Sequence, residues 1–569
     1  TGNPLYVSHY LLINGIIDLN GESQLLQPHG SIVDGASTGH LDRDQQGTQS
    51  SYNYNYWVSP VGPGASNAAY SVGGVMMDGS TPETPQDLDF GPTYYYADAD
   101  YTGRKKISEY WLHKFHGTAN DYFTWDHIGS TGTMNAGEGF SMKGTMGSAA
   151  ILDAQNYTFR GLPNNGDITP GVTGNPENYL IGNPYPSAID AIKFIEDNLT
   201  LAGPKNVFNG TIYFWSHFAD KTHYLEEYVG GYAAFNISGG VRAVAIDERI
   251  NATTEEGGQV PKQYIPVGQA FFINTVVDSS LDPDIQDDDL PTSAQISGGP
   301  VIFKNSQRVF EKEATSRSVF HSQEKKGAAT ATTNNSSSQE VEQNKIWLKF
   351  KSPKGYHRQI LVTADQRATE NFDLGFDAPM IDENVEDMYW YFNKYQFVIQ
   401  GVPDFNIERV LDLGINVEQK GALSISIDDL DNIPDEMNIY LADSLNQVVH
   451  DLRAEPYETE SEAGTFTDRF KLVFQDKTQI EEPEVPIIEE GPFEVLYVTG
   501  TRNVLLRNPE LLEVDRVYLN NMLGQQVHVY YNVPSEKEVE LPVKRFAAGV
   551  YIVKVHYEGG IVTRKVILE

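Results

Sequence analysis

Leu11-Leu12-Ile13-Asn14-Gly15-Ile16-Ile17-Asp18-Leu19-Asn20-Gly21 decides the fold class. Apolar and polar residues alternate between two Asn-Gly pairs. Such pairs make tight turns because glycine takes left-handed backbone at little cost, so the stretch predicts a hairpin or a rung of short strands. Outward from it, the same pattern repeats along the chain, punctuated by 50 glycines and 29 prolines. Only Ser187–Leu201 carries a helical period, with Ser187 as its expected cap and Ile189, Ile192 and Ile195 three residues apart. The prediction is an all-β protein of several β-sandwiches.

With 569 residues, the chain exceeds what one core usually holds and suggests roughly three to four domains. Residues 1–289 read as a β-sandwich-like region of one or two units. Within it, Asn135–Met142 and Pro266–Ile273 share a Gly-x-x-Phe turn running into a strand, which two related strand pairs or chance would explain. Residues 290–344 read as a partly flexible linker, because Ser322–Asn344 is small, polar and without an apolar period. Strand patterns resume at Lys345–Phe350 and run to Phe470–Phe474, a second β domain over 345–476. Residues 477–492 form an acidic linker. Within it, Thr478–Gly491 holds five glutamates and two prolines, which predicts an extended, protease-accessible tether. Residues 493–569 form a final compact strand series.

The formal charge of -37 repels phosphate, which argues against nucleic-acid and anionic-membrane partners. The absence of cysteine removes disulfides, thiolate metal sites and cysteine nucleophiles. No window approaches the roughly 18 apolar residues of a membrane span. Thr1-Gly2-Asn3-Pro4 lacks the basic and apolar runs of an export signal, and strand pattern begins at Leu5, so the sequence is expected to start after any signal peptide; N-terminal truncation stays open.

Candidate sites weigh toward binding. Gly35-Ala36-Ser37-Thr38-Gly39 matches a hydrolase nucleophile elbow, but no helix pattern follows; His40–Gly47 reads as a polar turn, and a Gly/Ser loop is expected. Asp282, Asp284, Asp287, Asp288 and Asp289 crowd enough carboxylates for calcium yet lack the glycine and terminal glutamate of an EF-hand, as do Asp98 and Asp100, so solvated acidic loops with no cofactor are expected. Tyr52, Tyr54 and Tyr56 share one face of a strand, where they would stack on sugar rings if exposed or serve the sheet if buried. His113 and His116 fall on opposite faces of a strand, and no metal enzyme signature appears.

In the last region, Arg516–Asn521 and Gln526–Tyr531 flank a turn at Met522-Leu523-Gly524-Gln525, then come Glu538–Pro542, Gly549–Val555, a Gly559-Gly560 turn and Thr563–Leu568. The order suggests a small immunoglobulin-like sandwich. This series resembles the type A C-terminal sorting domain of type IX secretion substrates in Bacteroidetes. The likeness rests on Leu523, Gly524 and Gln525 in the turn, Gly549, Tyr551 and Val553 in one strand, and Lys565, Val566, Ile567 and Leu568 in the last. Two departures stand out: Asn508-Pro509 comes later than the family's Asn-Pro pair, and Glu569 replaces its terminal lysine. The resemblance implies an exported protein, extracellular or at the cell surface. Its implied partners are an outer-membrane translocon, a shuttle β-barrel and a sortase-like signal peptidase that cuts within the linker. The last strand would offer the barrel an unpaired edge or an apolar end, captured by strand addition or groove insertion.

Upstream, Leu180–Asp190, Tyr52–Trp57 and Arg358–Val362 with Ala368-Thr369 are similar to segments of large flavobacterial surface proteins, some of them serving gliding or adhesion. The resulting expectation is an adhesin-like surface protein, not an enzyme, with a glycan or other surface ligand. The alternative is a secreted protein that binds or degrades polysaccharide, which would need a paired-carboxylate cleft invisible to spacing.

Overall fold

The computed structural model describes residues 2–568 apart from 118–123, 151–152, 172–177, 220–221, 225–228, 244–258, 276–295, 316, 319–342, 383, 393, 476–491, 499–501, 522–525, 532, 544–545, 547–548 and 559. The acidic cluster Asp282–Asp289, the Ser-rich run after Ser322, the tether Thr478–Gly491 and the turn Leu523–Gln525 therefore lie outside the described residues. The chain divides into two compact units, Thr1–Asp476 and Lys477–Glu569. Both are built of strands, as the alternating pattern requires.

At the N-terminus the opening stretch folds as rungs, not as a hairpin. Pro4–Tyr6 pairs in parallel with Gln24–Leu26, Tyr10–Leu11 with Ile32–Val33, and Ile16–Leu19 with the start of His40–Thr48. Gly21 has the positive φ its turn demands, and a Cβ on Gly39 would collide with the Gly15 carbonyl, so the successive coils can approach only through glycine.

His40–Thr48 is not the polar turn expected from its composition. It is a strand paired along its length with Ala154–Pro163. Several of its buried polar groups are engaged by other strands and loops, which offsets the cost of burying them. Arg160 donates to both Asp42 oxygens at 2.8 Å, Thr158 Oγ1 donates to Asp44 at 2.7 Å, and Gln45 Nε2 donates to the Val267 carbonyl at 2.6 Å. Trp57, Tyr157 and Phe159 pack in the core beneath.

A nine-stranded sheet runs from Gly239–Val241 to Tyr54–Trp57 and contains both Gly-x-x-Phe segments. Gly137 and Gly268 each have positive φ, each accepts a hydrogen bond from a neighbouring strand, and each leads into a strand, Phe140–Lys143 and Ala270–Asn274. The echo thus has a common local geometry.

The helix is shorter than its sequence period. It spans Ala191–Asp197 and is capped by Asp190, whose carboxylate accepts from the Ile192 and Lys193 amides. Ser187 serves elsewhere: Ala188–Asp190 is a strand, and the Ser187 hydroxyl accepts from Arg308 Nε at 3.2 Å.

Beyond the core around Trp57, the regions 1–289 and 345–476 share a buried core. Phe194, Phe214 and Phe271 belong to one buried cluster with Phe350, Ile360, Trp390 and Phe470. Thr363 Oγ1 donates to the Ser238 carbonyl, Trp347 Nε1 to the Gly240 carbonyl and Ser238 Oγ to the Phe376 carbonyl, all within 2.7–2.8 Å. Part of the expected linker is also core: Val301 and Phe303 are fully buried, and the Arg308 guanidinium reaches the Leu25 carbonyl and the Asn165 and Asn305 side chains. Burial pushes the Arg308 pKa down to about 10.

Candidate functional site

In the C-terminal unit, inward-facing apolar residues on alternate positions create a small two-sheet core. Glu494–Val498, Asn503–Arg507 and Glu538–Pro542 form one sheet. The other is ordered Gln526–Tyr531, Val514–Asn521, Gly549–Tyr557, Gly560–Leu568, antiparallel throughout. Phe493, Leu506, Val517, Leu519, Val553 and Val555 fill the space between them. The hairpin expected around Gly524 is present in its two strands, although the turn itself is not described.

Among the described residues, Gly560–Leu568 pairs with Gly549–Tyr557 alone and so lies at a sheet edge. Val566 and Leu568 point into the core while Lys565 and Ile561 are exposed. Tyr551 is half-buried against Phe546, and Val553 is buried. Gly549 and Ile567 lie in the last two strands. The late Asn508-Pro509 pair has a structural role here. Asn508 is fully buried, and its side-chain amide donates to the Leu512 carbonyl at 2.8 Å and accepts from the Leu512 amide at 2.9 Å, bracing a turn in which Leu511 has a φ of 57°.

The larger unit carries a second, chemically denser place. Asp89–Gly91 runs parallel to Lys106–Ser108, which continues into a short 3-10 turn, Glu109–Trp111. The Tyr94-Tyr95-Tyr96 loop is fastened to this frame from below. Ser108 Oγ donates to the Thr93 carbonyl and Trp111 Nε1 to the Tyr94 carbonyl, both at 2.8 Å. Tyr96 folds inward to donate to Asp89 at 3.0 Å, whereas Tyr94 and Tyr95 are 48% and 55% exposed.

His223 lies against this wall, stacked on Trp111 with ring centroids 5.3 Å apart and flanked by Tyr52 at 4.7 Å and Tyr94 at 5.6 Å. Its Nε2 is 2.9 and 3.0 Å from the two Asp98 oxygens, and its Nδ1 is 3.1 Å from Lys143 Nζ. Lys143 sits 3.6 Å from the Trp111 ring centroid. Burial pushes the amine down to about 6 against the pull of Asp98, and burial followed by Lys143 pushes His223 down. Burial thus disfavours the charged form of both groups, and His223 bridges the amine to the carboxylate. The chain can fix its loop or move a proton, and its aromatic surround gives shape.

Sequence reading located this place only at its margins. Of the tyrosine row, Tyr56 is buried among Trp125, Trp215 and Phe272 and is no exposed platform; Tyr54 is half-buried beside Trp111. Asp98 accepts hydrogen bonds from Ser51 at 2.8 Å and from His223, and Asp100 accepts one from Ser148. Among the described residues no group of three or more His, Asp or Glu side chains is placed to hold a metal ion. Ser37 is tied into backbone, donating to the Asp34 carbonyl at 2.7 Å and accepting from the Ile13 amide at 3.0 Å. His116 is exposed while His113 is half-buried, 5.1 Å from His127 across the strand pair. Lys143, Tyr110, Trp111 and His223 were missed; the tyrosine triplet at 94–96 was the available signal.

No helix of the described residues is long and apolar enough to cross a membrane. No curated protein matches the chain. Residues 499–569 match a family model described as a secretion system C-terminal sorting domain, which makes the protein a type IX secretion substrate, exported across the outer membrane to be secreted or held at the cell surface. Residues 1–474 match a second model, and on that match over most of the chain the protein belongs to the family described as Domain of unknown function (DUF8693).

Proposed function

We propose that the protein is an adhesin-like binding protein, displayed or released outside the cell, in which residues 493–569 are the address and the Thr1–Asp476 unit is the cargo. It works by binding, without turnover, in adhesion or gliding. The observation that carries this reading is the sorting module's own core, built apart from that of the cargo. A module that folds by itself can be read by export machinery and then removed without disturbing what it delivers. The partners it would meet are the translocon, a shuttle barrel that takes the exposed edge of Gly560–Leu568, and a sortase-like peptidase acting in 477–492.

Deleting Phe493–Glu569 is the test. The truncated protein is expected to accumulate in the periplasm, with the cargo folded, as fractionation and surface proteolysis would show. Surface display at normal yield would sink the reading. Hydrolysis of a polysaccharide by the purified full chain would instead replace binding with catalysis.

A further inference from the structure

The tyrosines over the Asp98–His223–Lys143 chain form a surface that the sorting module does not account for. Tyr94, Tyr95 and Tyr110 are 48%, 55% and 46% exposed. They are also contiguous: Tyr94 and Tyr95 are 4.9 Å apart at 87°, Tyr94 and Tyr110 are 6.3 Å apart at 67°, and Tyr110 meets Trp111 at 4.6 Å. Tyr224, next to His223 in the chain, is 73% exposed. Single exposed aromatics need no explanation, but a contiguous group on a rigid base marks a recognition surface.

We propose that this tyrosine cluster binds uncharged saccharide, stacking pyranose rings on Tyr94, Tyr95 and Tyr110. Three features select that ligand. Rings set steeply to one another present separate faces, which suits sugar units that turn along an oligomer, and each phenol adds a hydroxyl that can donate to or accept from a sugar hydroxyl. The surround is polar, with Glu109 beside Tyr110 accepting from the Ser130 amide and hydroxyl, so a purely apolar partner would strand these groups. The nearby carboxylates of Asp98, Asp100 and Glu109 outnumber the cations Arg104 and Lys106, and Lys143 is buried, so the local charge, like the net charge of -37, disfavours an acidic saccharide.

Pre-organisation supplies the rest. The Tyr94 carbonyl is held by Trp111 and the Thr93 carbonyl by Ser108, and Trp111 is itself clamped by His223 and Lys143. The loop therefore loses little freedom on binding. Lys143 and His223 act as positioning residues under the rings. The inference rests on the proposed function only for the protein's presence outside the cell, where such glycans occur, and binding by the purified chain is independent of export.

The experiment is a glycan array printed with uncharged and acidic oligosaccharides, probed with the full chain, with Tyr94→Ala/Tyr95→Ala, with Tyr110→Ala, and with Tyr531→Ala as an exposed tyrosine in the other unit. The wild type is expected on uncharged glycans, with affinity reduced about tenfold or more in the double variant, less in Tyr110→Ala and unchanged in Tyr531→Ala. Because the substituted rings are exposed, melting curves should coincide, separating lost binding from lost fold. Absence of glycan binding by the wild type, binding confined to acidic glycans, or equal binding by the double variant each overturns the proposal. Loss of export on deleting the sorting module, by contrast, has no bearing on it.

Discussion

Arg358→Ala is expected to destabilise the cargo unit by about 3–5 kcal/mol, because the substitution leaves buried carboxylates without their counter-charge. Arg358 Nε and one terminal nitrogen donate to the two Asp387 oxygens at 2.8 and 2.7 Å, and the guanidinium also reaches Asp382 Oδ1 at 3.2 Å and its carbonyl at 2.6 Å. The three side chains are 3%, 8% and 0% exposed for Arg358, Asp382 and Asp387. Burial pushes Asp382 up to about 6 despite Arg358, and the two aspartates hold the guanidinium charged against burial. Denaturant unfolding of wild type and variant measures the difference. Arg358→Lys should fall between the two, since it keeps the charge and loses the fork geometry. A loss under about 1 kcal/mol would mean that the buried network contributes little.

The second large effect concerns the boundary that the Ser-rich run suggests. Residues 345–476 expressed alone are expected to lack a cooperative transition and to bind hydrophobic dyes. Their sheet would lose Tyr213, Ala234 and Phe272, which pack against Leu361, Val398 and Ile399. It would also lose the carbonyls of Ser238 and Gly240, which satisfy Thr363 and Trp347. Gly375, at a φ of 84°, packs so tightly on Gly210 that a Cβ on Gly210 would fall 2.3 Å from the Gly375 amide nitrogen. Calorimetry of the full chain should show one transition for the cargo unit. A fragment that melts cooperatively at the parent temperature would restore two independent domains.

These cases show where sequence was informative. The strand period of Val514–Asn521, Gln526–Tyr531 and Gly549–Tyr557 is local, so it is visible in the chain and recurs in the structure. Gly137 and Gly268 likewise announce their turns, because positive φ selects glycine. What was invisible depends on distant partners. His40–Thr48 looks like a loop because its polar side chains find their partners on Ala154–Pro163, more than a hundred residues away. A shared core cannot be separated from two adjacent cores by period alone, and a polar insertion such as Ser322–Asn344 suggests a border that the packing ignores.

The helix end shows the same limit at short range: Ser187 and Asp190 can both cap, and the strand pairing of Ala188–Asp190 with Tyr264–Ile265 decides for Asp190. The aromatic place combines Asp98, Lys143 and His223, whose spacing in the chain has no motif. Only the tyrosine triplet beside Asp98 hinted at it. In the sorting module, the strands were legible but the reason for the late Asn508-Pro509 pair was not, since it depends on two hydrogen bonds to Leu512.

The central claim is that the last unit is a self-sufficient address. Fusing residues 477–569 behind an export leader and a fluorescent passenger, in a cell with a working type IX system, tests it most directly. The passenger is expected outside the cell or on its surface, and the same fusion in a translocon mutant should stay in the periplasm. Retention in the periplasm of the cell with a working translocon, with the fusion folded and intact, would contradict the account.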